Sequence, residues 1–231
     1  MTTSLPYYEE ILYPLQNEVL RILKNCDLPF YLTGGTAVSR GYFNHRYSDD
    51  LDLFVNRDEQ FAKYVDRALN AFEKANLSVF TSEVSSEDYS RIHLNQNKGG
   101  LGPQGLKIDF INDVYAHFGG FQETDVYYRT DSIRNILSNK YTTLYRVSAK
   151  DVADIWEICH HVHFNWKDII EEAEQKEIGA DAKELVQVFK RITDEDFLNI
   201  KWKRDFNLQT FRNDLIIIST DIVNHKENSL F

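Results

Sequence analysis

The residues best suited to chemistry lie in one stretch, YLTGGTAVSRGYFNHRYSDDLDLFV, at positions 31–55. Gly34-Gly35 permit a tight turn and close approach of an anion to the backbone. Thr36 to Phe43 read as helical, so free N–H groups at the start of that helix lie beside the glycines and suit a phosphate. Asp50-Leu51-Asp52-Leu53-Phe54-Val55 reads as a strand. Alternate side chains of a strand share a face, which puts Asp50 and Asp52 together and sends Leu51, Leu53 and Val55 to the core. Two adjacent carboxylates repel unless a cation lies between them. A phosphate cradle followed by a carboxylate pair is what metal-assisted phosphoryl or nucleotidyl transfer requires. Singly, Gly-Gly can be a plain turn and Asp-x-Asp a solvated strand face; their order and apolar flanks give the combination its meaning.

A third carboxylate comes from Leu106-Lys107-Ile108-Asp109-Phe110-Ile111. Lys107, Asp109 and Ile111 share one strand face. A charge within an apolar strand needs a partner. Either Asp109 pairs with Lys107 in solvent, or it joins Asp50 and Asp52 around a metal.

The elements that position these residues follow from periodicity. Apolar residues over 7–25 form one helical stripe, with Pro14 as a kink or a break between two helices. Leu28 to Leu32 form the first strand, and Asp58 to Ala75 a helix. Leu77–Val84 and Tyr89–Asn95 alternate as strands. Asn95 to Gly105 is glycine-rich but lacks the Gly-Lys-Ser/Thr ending of a phosphate loop, and reads as a mobile hairpin loop. Residues 126–130 add an edge strand, and from Asp131 the pattern is helical, with stripes over 166–177, 181–192 and 207–225. The boundary falls near 130, giving domains 1–130 and 131–231.

The signature GGTAVSR, HRYS and DLDLF resembles the AbiEii/AbiGii nucleotidyltransferase toxin family of type IV toxin–antitoxin systems, within the DNA polymerase beta-like nucleotidyltransferases. The resemblance implies an α+β fold. A nucleotidyltransferase domain, with a mixed twisted sheet and flanking helices, is followed by a helical bundle. It implies two Mg²⁺ ions held by Asp50, Asp52 and Asp109, and a nucleoside triphosphate (NTP) cradled by Gly34, Gly35 and Thr36. Arg40 and Arg46 either add charge at the phosphates or tie the loop to the aspartate strand. Downstream, Lys140, Arg146, Lys150-Asp151 and Asp154 are similar to the family's later motifs. By that similarity Lys140 holds nucleotide phosphates, and Asp151 orients or deprotonates the acceptor. The local chemistry offers competing readings. Lys140 can be a surface lysine, and Ser148 to Asp151 fits a helix-capping box. The resemblance further implies an acceptor hydroxyl on RNA, first the end of a tRNA, and a cognate antitoxin. Rival readings are a transferase acting on a small molecule of the aminoglycoside type, one that modifies protein, and a non-catalytic binding relative.

Composition narrows the field. The 231 residues, 42% of them hydrophobic, suffice for a large domain or two small ones. The net charge of −10 argues against a broad duplex-DNA grip, so RNA contact has to be local. KRIT at 190–193 and KWKRDF at 201–206 are such patches, or else solvated faces with a packed Trp202. His160, His161 and His163 lack the further ligands zinc needs. No apolar run nears the roughly 18 residues of a membrane helix, and the N-terminus lacks a secretion pattern. Two cysteines with no motif fit a reducing cytoplasm.

Overall fold

The computed structural model describes residues 6–96, 105–176 and 181–231. Most of the loop expected over 95–105 lies outside the described residues. The chain divides into two compact units. One comprises Met1–Gly41, Ser48–Val114 and Phe121–Asp131; the other comprises Tyr42–Tyr47, Tyr115–Gly120 and Ser132–Phe231.

The first unit is built on a five-stranded sheet. β1 (Tyr31–Thr33), β2 (Leu51–Asn56), β3 (Leu77–Ser86), β4 (Tyr89–Gln96) and β5 (Leu106–Asp113) lie in the order β1-β2-β5-β4-β3. The sheet is mixed: β2 runs parallel to β5, and the other neighbours are antiparallel. Strict alternation in β2 buries Leu51, Leu53 and Val55 and leaves Asp52 and Phe54 half-buried. Leu106, Ile108 and Phe110 of β5 are buried beside them. Phe110 meets Phe30 with ring centres 4.8 Å apart, and Phe30 meets Phe61 of α3 (Phe61–Lys74) at 6.3 Å. Helical residues begin at a π-helical Tyr7–Leu12 and continue into α1 (Tyr13–Asn25). Pro14 stands at the junction of the π-helical segment and α1, where a residue with no N–H to donate interrupts the ladder as its pitch changes. The expected edge strand at 126–130 contracts to a single bridge, Leu32 to Thr130. Thr130 also bridges back to Gln122, so this segment is held as a loop against β1.

The second unit is helical: α4 (Ile133–Thr142), α5 (Ala149–His161), α6 (Trp166–Lys176), α7 (Ala182–Leu185), α8 (Val188–Arg191), α9 (Asp194–Leu198) and α10 (Leu208–Val223). The stripe expected over 181–192 is divided between α7 and α8. Side-chain caps fix several starts: Ser132 on α4, Ser148 on α5, Asn207 on α10 and a full capping box from Thr193 to Asp196 on α9. The KWKRDF patch is partly engaged in packing, with Lys201 and Arg204 still exposed. Trp202 stacks on Phe206 at 4.2 Å, Lys203 reaches Asn44, and Arg204 pairs with buried Glu157. Glu157 also accepts from His161, and His160 lies 3.4 Å from Asp214. Among the described residues no helix is long and apolar enough to cross a membrane.

Candidate active site

In the first unit, chain geometry brings the sequence candidates onto one sheet face. Thr33 of β1 pairs with Asp52, and Asp52 pairs in parallel register with Asp109. In-register partners point to the same side of a sheet. That side is opposite to the one carrying Leu51, Ile108 and Phe110. α2 (Gly34–Thr36) leaves β1 and runs into a π-helical Ala37–Phe43. Gly34 has φ +67°, and a Cβ built there would come within 2.1 Å of Asp52 Oδ2. The glycine turn therefore closes directly onto the Asp52 carboxylate. Thr36 turns its hydroxyl onto the Asp50 carbonyl oxygen and Ser48 Oγ, fixing the loop that enters β2.

The carboxylates are not left to repel. Lys107 Nζ lies 2.7 Å from Asp50 Oδ2 and 3.6 Å from Asp109 Oδ2. Arg91 of β4 grips Asp109 through both oxygens, at 2.7 and 2.9 Å, and Tyr89 Oη donates to it at 2.9 Å. Burial opposes the charge of Asp109, but Arg91, Lys107 and Tyr89 outweigh it and hold the carboxyl below its ordinary value. Burial and the neighbouring Asp109 push the Tyr89 phenol up to about 12, so it stays a donor. Burial also works against the Lys107 charge, yet Asp50 and Asp109 prevail and raise its pKa.

Hard oxygen donors such as Asp50 and Asp52 suit Mg²⁺. Both are partly accessible, and the ammonium of Lys107 already stands as a cation beside Asp50. The chemistry of this pair fits a divalent ion. Asp109 differs, because both its oxygens are committed to Arg91. Among the described residues no three His, Cys, Asp or Glu side chains are arranged together as a metal group. Three donors occupy Asp109, so it can offer a metal one remaining lone pair as it stands and more when Arg91 yields.

The arginines of the signature are engaged as ties. Arg40 donates to Gln16 and Asn17 of α1 at 2.7 Å each and covers the Tyr13 ring at 4.0 Å. Arg46 belongs to the second unit and is buried there. Its guanidinium clasps Asp154 of α5 through two bonds of 2.7 Å. This clasp ties the 42–47 segment to α5.

Asp154 is the residue whose weight periodicity missed. It is fully buried and also receives His45 Nε2 at 2.9 Å and Lys140 Nζ at 2.7 Å. Burial raises the cost of its charge, but Arg46, Lys140 and His45 more than compensate and hold its pKa well below the ordinary carboxylate value. Lys140 is itself buried, not a surface lysine, and its ammonium is shared between Asp154 and Asp151 Oδ1, also at 2.7 Å. Burial disfavours that ammonium, while Asp151 and Asp154 favour it and raise its pKa. Asp151 has two attachments: Ser148 Oγ accepts from its backbone N–H at 3.3 Å, and its carboxylate accepts from Lys140. It remains the accessible end of the cluster, with its side chain 25% exposed against 6% for Lys140.

A sheet with a glycine turn closed onto strand carboxylates, followed by a helical unit, defines a nucleotidyltransferase-type fold. Solved structures similar to it include JHP933 from Helicobacter pylori, at 18% identity and TM-score 0.61 over 92% of each chain, and MenT4, a nucleotidyltransferase toxin from Mycobacterium tuberculosis. MenT4 matches at 12% identity and TM-score 0.55 over 93% of this chain and 81% of its own. No curated relative matches the sequence. Residues 20–216 match the family model described as nucleotidyl transferase AbiEii toxin, type IV TA system, and the chain belongs to that family.

Proposed function

We propose that this nucleotidyltransferase moves a nucleoside monophosphate from an NTP to an acceptor hydroxyl on RNA, with the end of a tRNA as the first candidate. The observation that carries the reading is the closure of the Gly34 turn onto Asp52 beside Asp50 and Asp109. Asp50 and Asp52 would hold Mg²⁺, with Asp109 as a further ligand. A bound ion would neutralise charge on the triphosphate and polarise its α-phosphorus. Backbone N–H groups of Gly34, Gly35 and Thr36 would orient the terminal phosphates. Positioning and charge neutralisation supply most of the rate gain in such a reaction. Lys140 would contribute a phosphate-binding ammonium, released from Asp151 while Asp154 still holds it. Asp151, so freed, would orient or deprotonate the acceptor hydroxyl. A cognate antitoxin is the expected protein partner, as membership of a type IV toxin–antitoxin family suggests.

The test mixes the protein with each labelled NTP, Mg²⁺ and total bacterial RNA. RNA should become labelled, and Asp52→Asn should abolish labelling while the thermal midpoint stays near that of the wild type. Wild-type labelling by the folded Asp52→Asn variant would overturn the assignment. Lys140→Ala should raise KM for the nucleotide more than it weakens RNA binding.

A further inference from the structure

The cation beside Asp50 is the chain's own. Among the described residues, Arg91 and Lys107 bring positive charge to the carboxylate face, and they are held differently. Arg91 is locked by a two-pronged pair to Asp109, whose side chain is only 8% exposed, a geometry with strong directional commitment. Lys107 is held at the tip of a flexible stem by one short contact to Asp50, whose side chain is 42% exposed. Pairs as exposed as this are weak and readily exchanged. With Asp52 on the same face, Asp50, Asp52 and Asp109 set three negative charges against the two positive charges of Arg91 and Lys107, leaving −1.

We propose that Lys107 is an exchangeable stand-in for the metal: its ammonium occupies the place beside Asp50 that a divalent cation takes. On arrival of the cation Lys107 leaves Asp50 and turns to the polyphosphate of the NTP. This deepens the nucleotidyltransferase reading above and rests on it. The physical reason is electrostatic. An ammonium and a divalent ion on the same carboxylate repel strongly at contact distance, so one must go. The displaced ammonium finds its best new partner in the polyanion that enters with the metal. Ion and nucleotide then bind with positive coupling, because each removes what opposes the other.

The test uses Mn²⁺ as probe, with free Mn²⁺ followed by electron paramagnetic resonance on the full chain. Lys107→Met should bind Mn²⁺ about tenfold more tightly than the wild type, since a competing charge within contact distance is gone. With Mn²⁺ saturating, the same variant should bind labelled ATP more weakly. Equal or weaker Mn²⁺ binding by Lys107→Met, with binding still lowered by Asp50→Asn, would overturn this inference and leave the active-site reading standing. Mn²⁺ binding untouched by Asp50→Asn would sink both. On the wild-type chain, acetic anhydride should modify Lys107 faster when Mn²⁺ is bound, read by mass spectrometry. A rate that Mn²⁺ does not change also overturns the proposal.

Discussion

At the scale of single residues, the sharpest constraint is at Gly34. Its φ of +67° already disfavours any side chain, and the space a methyl group would need is filled by Asp52 Oδ2. Gly34→Ala should therefore cost about 1–3 kcal/mol in stability, read from the urea midpoint. It should also displace Asp52 and remove nucleotide transfer. A variant with wild-type stability and labelling would show that the turn and carboxylate are independent. The residues of this contact were legible in the sequence because a glycine pair and a two-residue strand period are local signals. What surrounds Asp109 was only half legible. Lys107 is its neighbour by two and shares its face, so the pairing was open to inference. Arg91 and Tyr89 come from β4, and which residue of β4 stands opposite Asp109 depends on a register no local pattern encodes.

At the scale of elements, periodicity gave the helices and strands but not their tertiary attachments. The segment between the first helical signature and β2 reads as a polar loop. In fact Tyr47 and Lys203 exchange backbone bonds with Lys201 and His45, and Arg46 reaches into α5. Nothing in the sequence marks Asp154 as buried, because a buried anion and an exposed one leave the same trace there. Only the arrival of Arg46, His45 and Lys140 from other parts of the chain distinguishes them. Asp154→Ala leaves Arg46 and Lys140 buried without their shared anion, a class of change that costs about 3–5 kcal/mol. The expected result is a large fall in the thermal midpoint. Asp151→Ala, at the accessible end of the same cluster, should cost much less, because Asp154 still holds Lys140. Similar losses for the two variants would mean that Asp154 is not the keystone of α4, α5 and the 42–47 segment.

At the scale of the whole molecule, these buried pairs set how stability responds to pH. Asp109 and Asp154 have folded-state pKa values below the ordinary 3.8. Near that pH the unfolded chain binds more protons than the folded one, so stability falls as pH falls. Their contribution is complete above the ordinary carboxylate value and is lost as the pH drops through the depressed values. Lys107 and Lys140 shift the other way, above 10.5, so their contribution is complete below that value and is lost as the pH rises through the raised values. The net charge of −10 pulls in the opposite sense on the acid side, since protonation relieves self-repulsion. That relief concerns exposed, screened charges, whereas the Asp154 pairs are unscreened and fully buried. The buried pairs should dominate. The thermal midpoint should therefore hold a plateau from the mid-acid range to about pH 10 and fall below about pH 4, where the carboxylates begin to take up protons. Asp154→Asn should start from a lower midpoint and lose less of it on acidification, because the group that titrates is gone. A variant whose acid limb keeps the full wild-type drop would assign acid sensitivity to groups other than this cluster.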